Sequence, residues 1–204
     1  MQIWVGYYEQ RTTKGFEMKQ CLNLGCGTNI LKDYINVDKY DYRGVDIVHD
    51  LDKFPYPFKD NSVDKILMEG VIEHLKSDYG DVFNEFRRIM KHKAKLIIIV
   101  PHASNLATFN EFHIRHFSSH SFTDIQPKGL KQKRTTSLDS VNAYRGFRRI
   151  KRKIVFRKKY CFWDYLIEPI VNLHWFSTVL WEHTFLSRLF PAKDIYVELE
   201  KVLK

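Results

Sequence analysis

The chain has 204 residues, 44% of them hydrophobic, so it can bury one sizeable core but is short for two. Its net charge of +9 is uneven, because residues 128–159 carry +12 and the remainder of the chain −3. The longest uncharged stretch of the aromatic C-terminal part, 169–181, is shorter than the roughly eighteen apolar residues of a spanning helix. No secretory signal is visible, and three cysteines without metal-ligand spacing fit a reducing compartment. We therefore expect a cytoplasmic protein.

The predicted elements begin after residues 1–17, which show no clear periodicity and are predicted to be an extension or flap. Short apolar runs then alternate with turns, which indicates βα units and a parallel sheet within a single domain over 18–204. Spacing by three and four predicts an amphipathic helix over 79–90. The predicted strands of this half are 20–24, 34–37, 46–49, 63–68 and 95–100.

Beyond Pro101 the pattern is weaker. Residues 102–120 are predicted to form a loop over the carboxyl ends of the strands, followed by a short helix near 121–125. Strands are predicted at 146–156 and 195–199, and an aromatic-rich helical region at 162–189, interrupted at Pro169. We expect 102–192 to carry substrate-side insertions together with the basic segment.

A glycine turn follows the first predicted strand. Gly25 and Gly27 permit positive φ and let the backbone approach a ligand, although Asn29 replaces the third glycine of a dinucleotide fingerprint. Asp38 ends the second strand only eleven residues after Gly27, nearer than the roughly twenty expected of a dinucleotide fold. Asp50 ends the third. Ligands of open α/β sheets sit beyond the carboxyl ends of the strands, so the turn and both acids are predicted to share one crevice.

Several further motifs accompany this turn: Ile-Asn-Val-Asp at 35–38, Val-His-Asp-Leu at 48–51, Pro-Phe-Lys-Asp-Asn-Ser-Val-Asp at 57–64 and Val-Ile-Glu-His-Leu at 71–75. Together with 22–28 they resemble the small class I S-adenosylmethionine-dependent methyltransferases of the type 11 group, over about residues 19–101. The resemblance implies S-adenosyl-L-methionine as cofactor. It also implies an α/β, Rossmann-like, mostly parallel seven-stranded sheet with helices on both faces and an antiparallel last strand.

The resemblance further implies roles for individual residues. The glycine turn would pass beneath the methionine part of the cofactor, Asp38 would bind the ribose hydroxyls, and Asp50 with the Leu51 amide would hold the adenine. Asn23 stands where the family often has an acid, and Asn29 where it often has a glycine. The predicted cofactor-binding residues are Asn23, Gly25, Cys26, Gly27, Asp38, Asp50, Leu51, Glu69 and Gly70.

Candidate catalytic residues are histidines. A sulfonium methyl group is already activated, so the protein mainly aligns the acceptor, but a hydroxyl acceptor benefits from a nearby base. His113 and His116 lie in the loop after the fifth strand, and the resemblance implies that His74 lies near the methyl group, although a histidine there can also cap or pack. His113 and His116 are three apart, yet no further ligand pattern accompanies them, so we predict no metal site.

The acceptor is open to several interpretations. An anionic small molecule, sugar or lipid-linked sugar ranks first, and an RNA acceptor bound by the basic segment ranks below it. Nucleic acid is the weaker alternative because 68–71 lacks the Asn/Asp-Pro-Pro-aromatic turn of amino-directed base methyltransferases. A non-catalytic module that has lost the cofactor is a third alternative. An anionic membrane surface is a candidate partner, because the aromatic region 162–190 lies beside the basic run, although those aromatics would also suit a helix packed on the sheet. The oligomeric state is left open.

Overall fold

The computed structural model describes residues 19–122, 125, 144–157 and 162–202, and within them the centre of the fold is a seven-stranded sheet. The strands are β1 (Cys21–Leu24), β2 (Ile35–Asp38), β3 (Ile47–Val48), β4 (Val63–Glu69), β5 (Met90–Pro101), β6 (Phe147–Phe156) and β7 (Ala192–Lys201). The helices are α1 (Tyr79–Ile89), α2 (Asp164–Val171), α3 (Trp175–Glu182) and α4 (Leu186–Leu189), with a 3-10 turn at Leu106–Phe109.

The strands lie in the order β3-β2-β1-β4-β5-β7-β6. Neighbours from β3 to β5 pair in parallel, whereas β7 is antiparallel to both β5 and β6. This confirms the predicted mostly parallel, seven-stranded sheet with an antiparallel last strand. Because β1 lies between β2 and β4, the turns that leave these three strands share one edge of the sheet.

The core is built from alternating strand residues and one face of α1. Leu22 and Leu24 of β1, and Leu96 and Ile98 of β5, are fully buried. Helix α1 begins at Asp78, whose side chain accepts from the Gly80 amide, and buries an apolar stripe against the sheet. The residues of that stripe are Val82, Phe83, Phe86 and Ile89.

The C-terminal helices differ from the prediction in where they break. Pro169 lies inside α2, and the chain leaves helical structure only at 172–174. Asn172 follows the last residue of the helix, and its side-chain Nδ2 donates to the carbonyls of Ile154 and Glu168, both at 2.8 Å. His174 then starts α3 with a capping box that includes Ser177. The predicted break at Pro169 is therefore wrong.

Three predicted segments fall wholly or partly outside the described residues. These are the extension at 1–17, the short helix near 121–125, of which Ser121 and Phe122 are seen as a turn, and most of the basic segment at 128–143. Among the described helices, none combines the length and the apolar character that crossing a bilayer requires.

Candidate active site

The glycine turn after β1 has one packed side and one open side. The amides of Gly25 and Cys26 donate to the Val37 carbonyl at 2.8 and 3.0 Å, which ties the turn to β2. Gly25 has φ +68°, and a Cβ there would lie 2.4 Å from Val71 Cγ2. Gly27 has φ +51°, and a Cβ there would meet no atom within 4 Å. The side of the turn at Gly27 is therefore free to accept a ligand.

Asn23 supports this turn from below. Its side chain is 3% exposed, and its amide nitrogen donates to the Asn29 carbonyl at 2.9 Å and to Asn36 Oδ1 at 3.0 Å. The two asparagines at which the sequence departs from the family pattern are thus joined by one hydrogen bond. Asn23 remains a predicted cofactor residue, and its visible contacts are to the protein.

Asp38 at the end of β2 is only 8% exposed and accepts two backbone hydrogen bonds. Oδ2 accepts from the Gly27 amide at 2.7 Å, and Oδ1 accepts from the Tyr40 amide at 3.0 Å. A carboxylate has about four acceptor sites, so each oxygen retains capacity for a ribose hydroxyl.

Asp50 lies after β3, as predicted. Burial alone would raise the pKa of its carboxyl, but the Asp52 amide at 3.2 Å and the Lys39 ammonium at 3.4 Å lower it. Asp50 is therefore ionised at neutral pH. The next residue, Leu51, is buried, and its carbonyl accepts from the Tyr56 hydroxyl at 2.9 Å.

Glu69 and Gly70 complete the arrangement at the end of β4. Both are exposed, and the Gly70 amide donates to the Ile99 carbonyl of β5 at 2.9 Å. Gly70 adopts φ +67°, a left-handed conformation that turns the chain away from the strand. The predicted cofactor segments thus follow the carboxyl ends of four adjacent strands, β3, β2, β1 and β4.

The candidate catalytic histidines do not form one group. His74 and His113 are in contact, with ring centroids 4.6 Å apart. His116 is exposed, its Nδ1 lies 3.4 Å from Thr108 Oγ1, and it lines a cavity of about 410 Å³ beside Tyr79 and Arg115. His113 and His116 lie in a loop, as the sequence predicted, so their spacing by three does not place them on one helical face.

One residue of the site was not considered from the sequence. Glu73, in the Val-Ile-Glu-His-Leu motif, is 1% exposed and adjoins His74. Its carbonyl accepts from the Ile114 and Arg115 amides at 2.9 and 3.3 Å, which holds the loop after β5 against the segment after β4. The only signal in the sequence was an acid next to a histidine between apolar residues in this motif.

The cations of β6 have partners within the protein. Arg148 pairs with Glu200, Arg149 donates to the Phe122 carbonyl at 2.8 Å, and Arg152 donates to the Ser119 carbonyl. Burial lowers the pKa of Arg152 to about 10. Arg115 likewise donates to the carbonyls of Leu75 and Ser77 and stacks on Tyr79. These arginines hold the structure together.

The fold and the arrangement of the crevice resemble those of class I S-adenosylmethionine-dependent methyltransferase domains. Residues 22–98 match the family model described as a methyltransferase domain, and the motifs that resemble the type 11 methyltransferases lie within this region. S-adenosyl-L-methionine is the cofactor of this class.

Individual proteins are similar to this chain in sequence or in structure. An uncharacterized protein of Methanocaldococcus jannaschii is 41% identical over 78 residues, which are 37% of this chain and 33% of that protein, so the chain spans about a third of this curated relative. A SAM-dependent methyltransferase from Archaeoglobus fulgidus has a similar structure, with a TM-score of 0.56, 15% identity, and coverage of 91% of this chain and 87% of its own. The YcgJ protein of Bacillus subtilis has a TM-score of 0.51 and 13% identity, covering 98% and 99%. At these identities the two structures show the fold alone.

Proposed function

We propose that the protein transfers the methyl group of S-adenosylmethionine to an anionic acceptor, of the small-molecule, sugar or lipid-linked type. The observation that supports this most directly is the hydrogen bond between the Gly27 amide and Asp38 on the open side of the glycine turn. The residues present fit the cofactor, because the turn leaves space above Gly27 and Asp38 retains acceptor capacity.

The cofactor supplies a methyl group on a positively charged sulfur, which is already activated for transfer. The protein therefore has to position the acceptor and the cofactor and to exclude water from them. Asp38 and Asp50 would hold the nucleoside part by accepting its hydroxyl and amino protons. Glu69 and Gly70 would flank the methionine part, and the loop clamped to the Glu73 carbonyl would cover the reacting atoms.

Exposed apolar side chains favour an acceptor that is attached to a lipid. Helices α2 to α4 and their connections leave large hydrophobic residues at 44–81% exposure, far more than a helix layer packed on a sheet would show. They are Phe162, Trp163, Tyr165, Leu166, Ile170, Leu173, Trp175, Phe176, Leu180, Phe185 and Leu189. In the sequence these residues follow the basic segment 128–159, and aromatic side chains together with basic ones have the chemistry that binds an anionic membrane interface.

Two measurements test the proposed function. Calorimetry with S-adenosylmethionine and its demethylated product should give micromolar dissociation constants, which correspond to a binding free energy of about −8 kcal/mol. The absence of heat with both ligands would contradict the proposed function. Release of the demethylated product should then be screened with phosphorylated sugars, lipid-linked sugars and RNA as acceptors. Turnover with RNA alone would favour the nucleic-acid alternative over the anionic small acceptor.

Sedimentation with vesicles tests the membrane part separately. Vesicles containing anionic phospholipid should pellet the protein, and neutral vesicles should do so weakly. Pelleting should be reduced in the triple variant Lys131→Gln, Lys133→Gln and Arg134→Gln. The control is the double variant Lys32→Gln and Lys59→Gln, which removes positive charge outside the basic segment and should pellet as the wild type does. Equal pelleting by neutral and anionic vesicles would show that the basic segment does not contribute to membrane binding.

A further inference from the structure

A buried carboxylate and two histidines meet where the segment after β4 touches the loop after β5. Glu73 is 1% exposed, His113 is half-buried and His74 is exposed. Each of the three offers one potential ligand atom, and these atoms lie within 4.8 Å of one another. Two imidazoles and one carboxylate form a ligand set that binds divalent transition-metal ions, both in zinc enzymes and in non-haem iron sites.

The hydrogen bonds of both histidines leave a ring nitrogen available. His74 Nδ1 lies 3.0 Å from the Phe112 carbonyl oxygen, and His113 Nδ1 lies 3.2 Å from the Thr108 carbonyl oxygen. A carbonyl only accepts, so each Nδ1 carries the proton and each Nε2 keeps its lone pair. Metal-binding histidines commonly show this arrangement, with the distal nitrogen donating to a carbonyl that fixes the ring.

Glu73 supplies a second, independent indication of a ligand. Its Oε2 is buried and has no hydrogen-bond partner among the described residues. Burial raises the pKa of this carboxyl. A buried, unpaired carboxylate is unfavourable, and a bound cation would remove the penalty.

The three side chains are held in place by the backbone. The Ile114 and Arg115 amides donate to the Glu73 carbonyl, and the Arg115 guanidinium donates to the Ser77 carbonyl at 2.7 Å. These bonds join the turn that carries Glu73 and His74 to the loop that carries His113. These hydrogen bonds therefore fix the positions of the two segments that carry the cluster.

We propose that Glu73, His74 and His113 bind one divalent transition-metal ion, with the remaining coordination positions open to solvent on the exposed side of His74. Ligand atoms around a tetrahedral zinc ion lie about 3.4 Å apart, so atoms now within 4.8 Å of one another would approach by up to about 1.4 Å on binding. A Cβ at Gly70 would lie 3.8 Å from Glu73 Oε1, so the ion would adjoin the methionine end of the predicted cofactor crevice. There it would attract an anionic oxygen of the acceptor. That role rests on the proposed function, whereas metal binding does not.

A second cluster, His120, Glu182 and His183, provides the comparison within the same chain. Here the carboxylate is already occupied, because Glu182 accepts from the Ser119 amide at 3.0 Å and lies 3.2 Å from His102 Nε2. Occupied oxygens would have to release these partners before they could bind a metal ion. The first cluster requires no such exchange.

Titration of the metal-free full chain with Co²⁺ and with Zn²⁺ tests the proposal. We expect one equivalent to bind, with visible Co²⁺ absorption bands that Zn²⁺ displaces. His74→Ala, His113→Ala and Glu73→Gln should each weaken binding by at least about 100-fold, beyond the 10- to 100-fold typical of outer-shell changes. His183→Ala should bind as the wild type does. Thermal melts establish that each variant is folded, and Glu73→Gln keeps the shape of the side chain.

Two results would overturn the proposal: no binding by folded wild-type protein, or binding that the three variants retain and His183→Ala loses. The demethylated cofactor product should be titrated into the same samples. If it binds while the metal does not, the metal site alone is wrong. If the metal binds and the product does not, the metal site stands and the proposed function fails.

Discussion

The Gly27 amide donates to Asp38 Oδ2 at 2.7 Å, which joins the glycine turn after β1 to the acid that ends β2. The two residues are eleven positions apart in the sequence and belong to two different motifs, 22–28 and 35–38, which this hydrogen bond connects. The carboxylate that is predicted to bind the ribose therefore also orients the turn that is predicted to pass beneath the methionine part of the cofactor.

Asp38→Ala should weaken binding of S-adenosylmethionine and of its demethylated product by about 1.5–3 kcal/mol, the range for a hydrogen bond to a charged group. The same change removes the acceptor of the Gly27 and Tyr40 amides, so the thermal midpoint should fall as well. Calorimetry and a thermal melt measure the two effects. Asp41→Asn is the matched control, because it removes the same charge from an exposed position three residues away. Equal affinity in Asp38→Ala and Asp41→Asn would exclude Asp38 from the cofactor site.

Gly25 and Gly27 should respond differently to alanine. Both have positive φ, so each Ala carries a backbone strain of about 1–2 kcal/mol. Only at Gly25 does the new Cβ collide with a neighbour, Val71, at 2.4 Å. Urea unfolding should therefore show a larger loss of stability in Gly25→Ala, while Gly27→Ala should lose cofactor affinity by occupying the open side of the turn.

Val71→Ala checks this assignment. Combined with Gly25→Ala it should recover part of the lost stability, because it removes the two methyl groups that the new Cβ would meet. It should not restore cofactor binding to Gly27→Ala. Strictly additive losses in the Gly25 and Val71 pair would show that backbone strain alone, without the collision, explains the effect.

The parallel half of the sheet was predictable because its signals are local. Strands β1 to β4 are short runs with a glycine or an acid at their end or within two residues after it, and Asp38 and Asp50 lie at the predicted positions. The helical break after α2 was not predictable, because Asn172 ends the helix through a bond to Ile154 in β6, a strand eighteen residues earlier. Pro169 gave the stronger local signal and was misleading.

The catalytic side was harder to predict for a similar reason. In the sequence, His113 and His116 are the histidines that lie close together. In the structure, the contact is between His74 and His113, which are 39 positions apart. It depends on backbone bonds from the 110–116 loop to Glu73, which no periodicity in the sequence reveals. The internal partners of Arg148, Arg149 and Arg152 in β6 were likewise not predictable, because they lie far away in the sequence.

Acid should lower the free energy of unfolding of the protein by protonating Glu85. Burial would raise the pKa of this carboxyl, but hydrogen bonds from Arg88 and the Tyr56 amide lower it. A lowered pKa means that the stabilisation is fully present above the unfolded value of 4.5 and is lost as pH falls through the folded value. Glu85→Gln should thus cost about 1–3 kcal/mol at neutral pH and progressively less below pH 4.5.

Urea unfolding of wild type and Glu85→Gln at a series of pH values measures this difference. Glu111→Gln, an exposed site, supplies the control with the same change of charge. A gap between wild type and Glu85→Gln that stays constant from neutral pH to acid would show that the contacts of Glu85 do not depend on its ionisation.

His116 is the residue we expect to support turnover directly, more than His74. It is exposed, lies in the loop after β5 and lines the cavity of about 410 Å³ with Tyr79, Phe117 and Phe122, where an acceptor could enter. If its imidazole takes the proton of the acceptor, His116→Asn should lower the single-turnover rate roughly 10²-fold while cofactor affinity is unchanged. His92→Asn is the control, because it changes an exposed histidine near the start of β5, at the opposite end of that strand. Metal binding separates this role from that of His74, since His116→Asn should retain the metal and His74→Ala should lose it. A single-turnover rate in His116→Asn within a factor of about two of the His92→Asn rate would show that transfer needs only alignment and that His116 packs the loop.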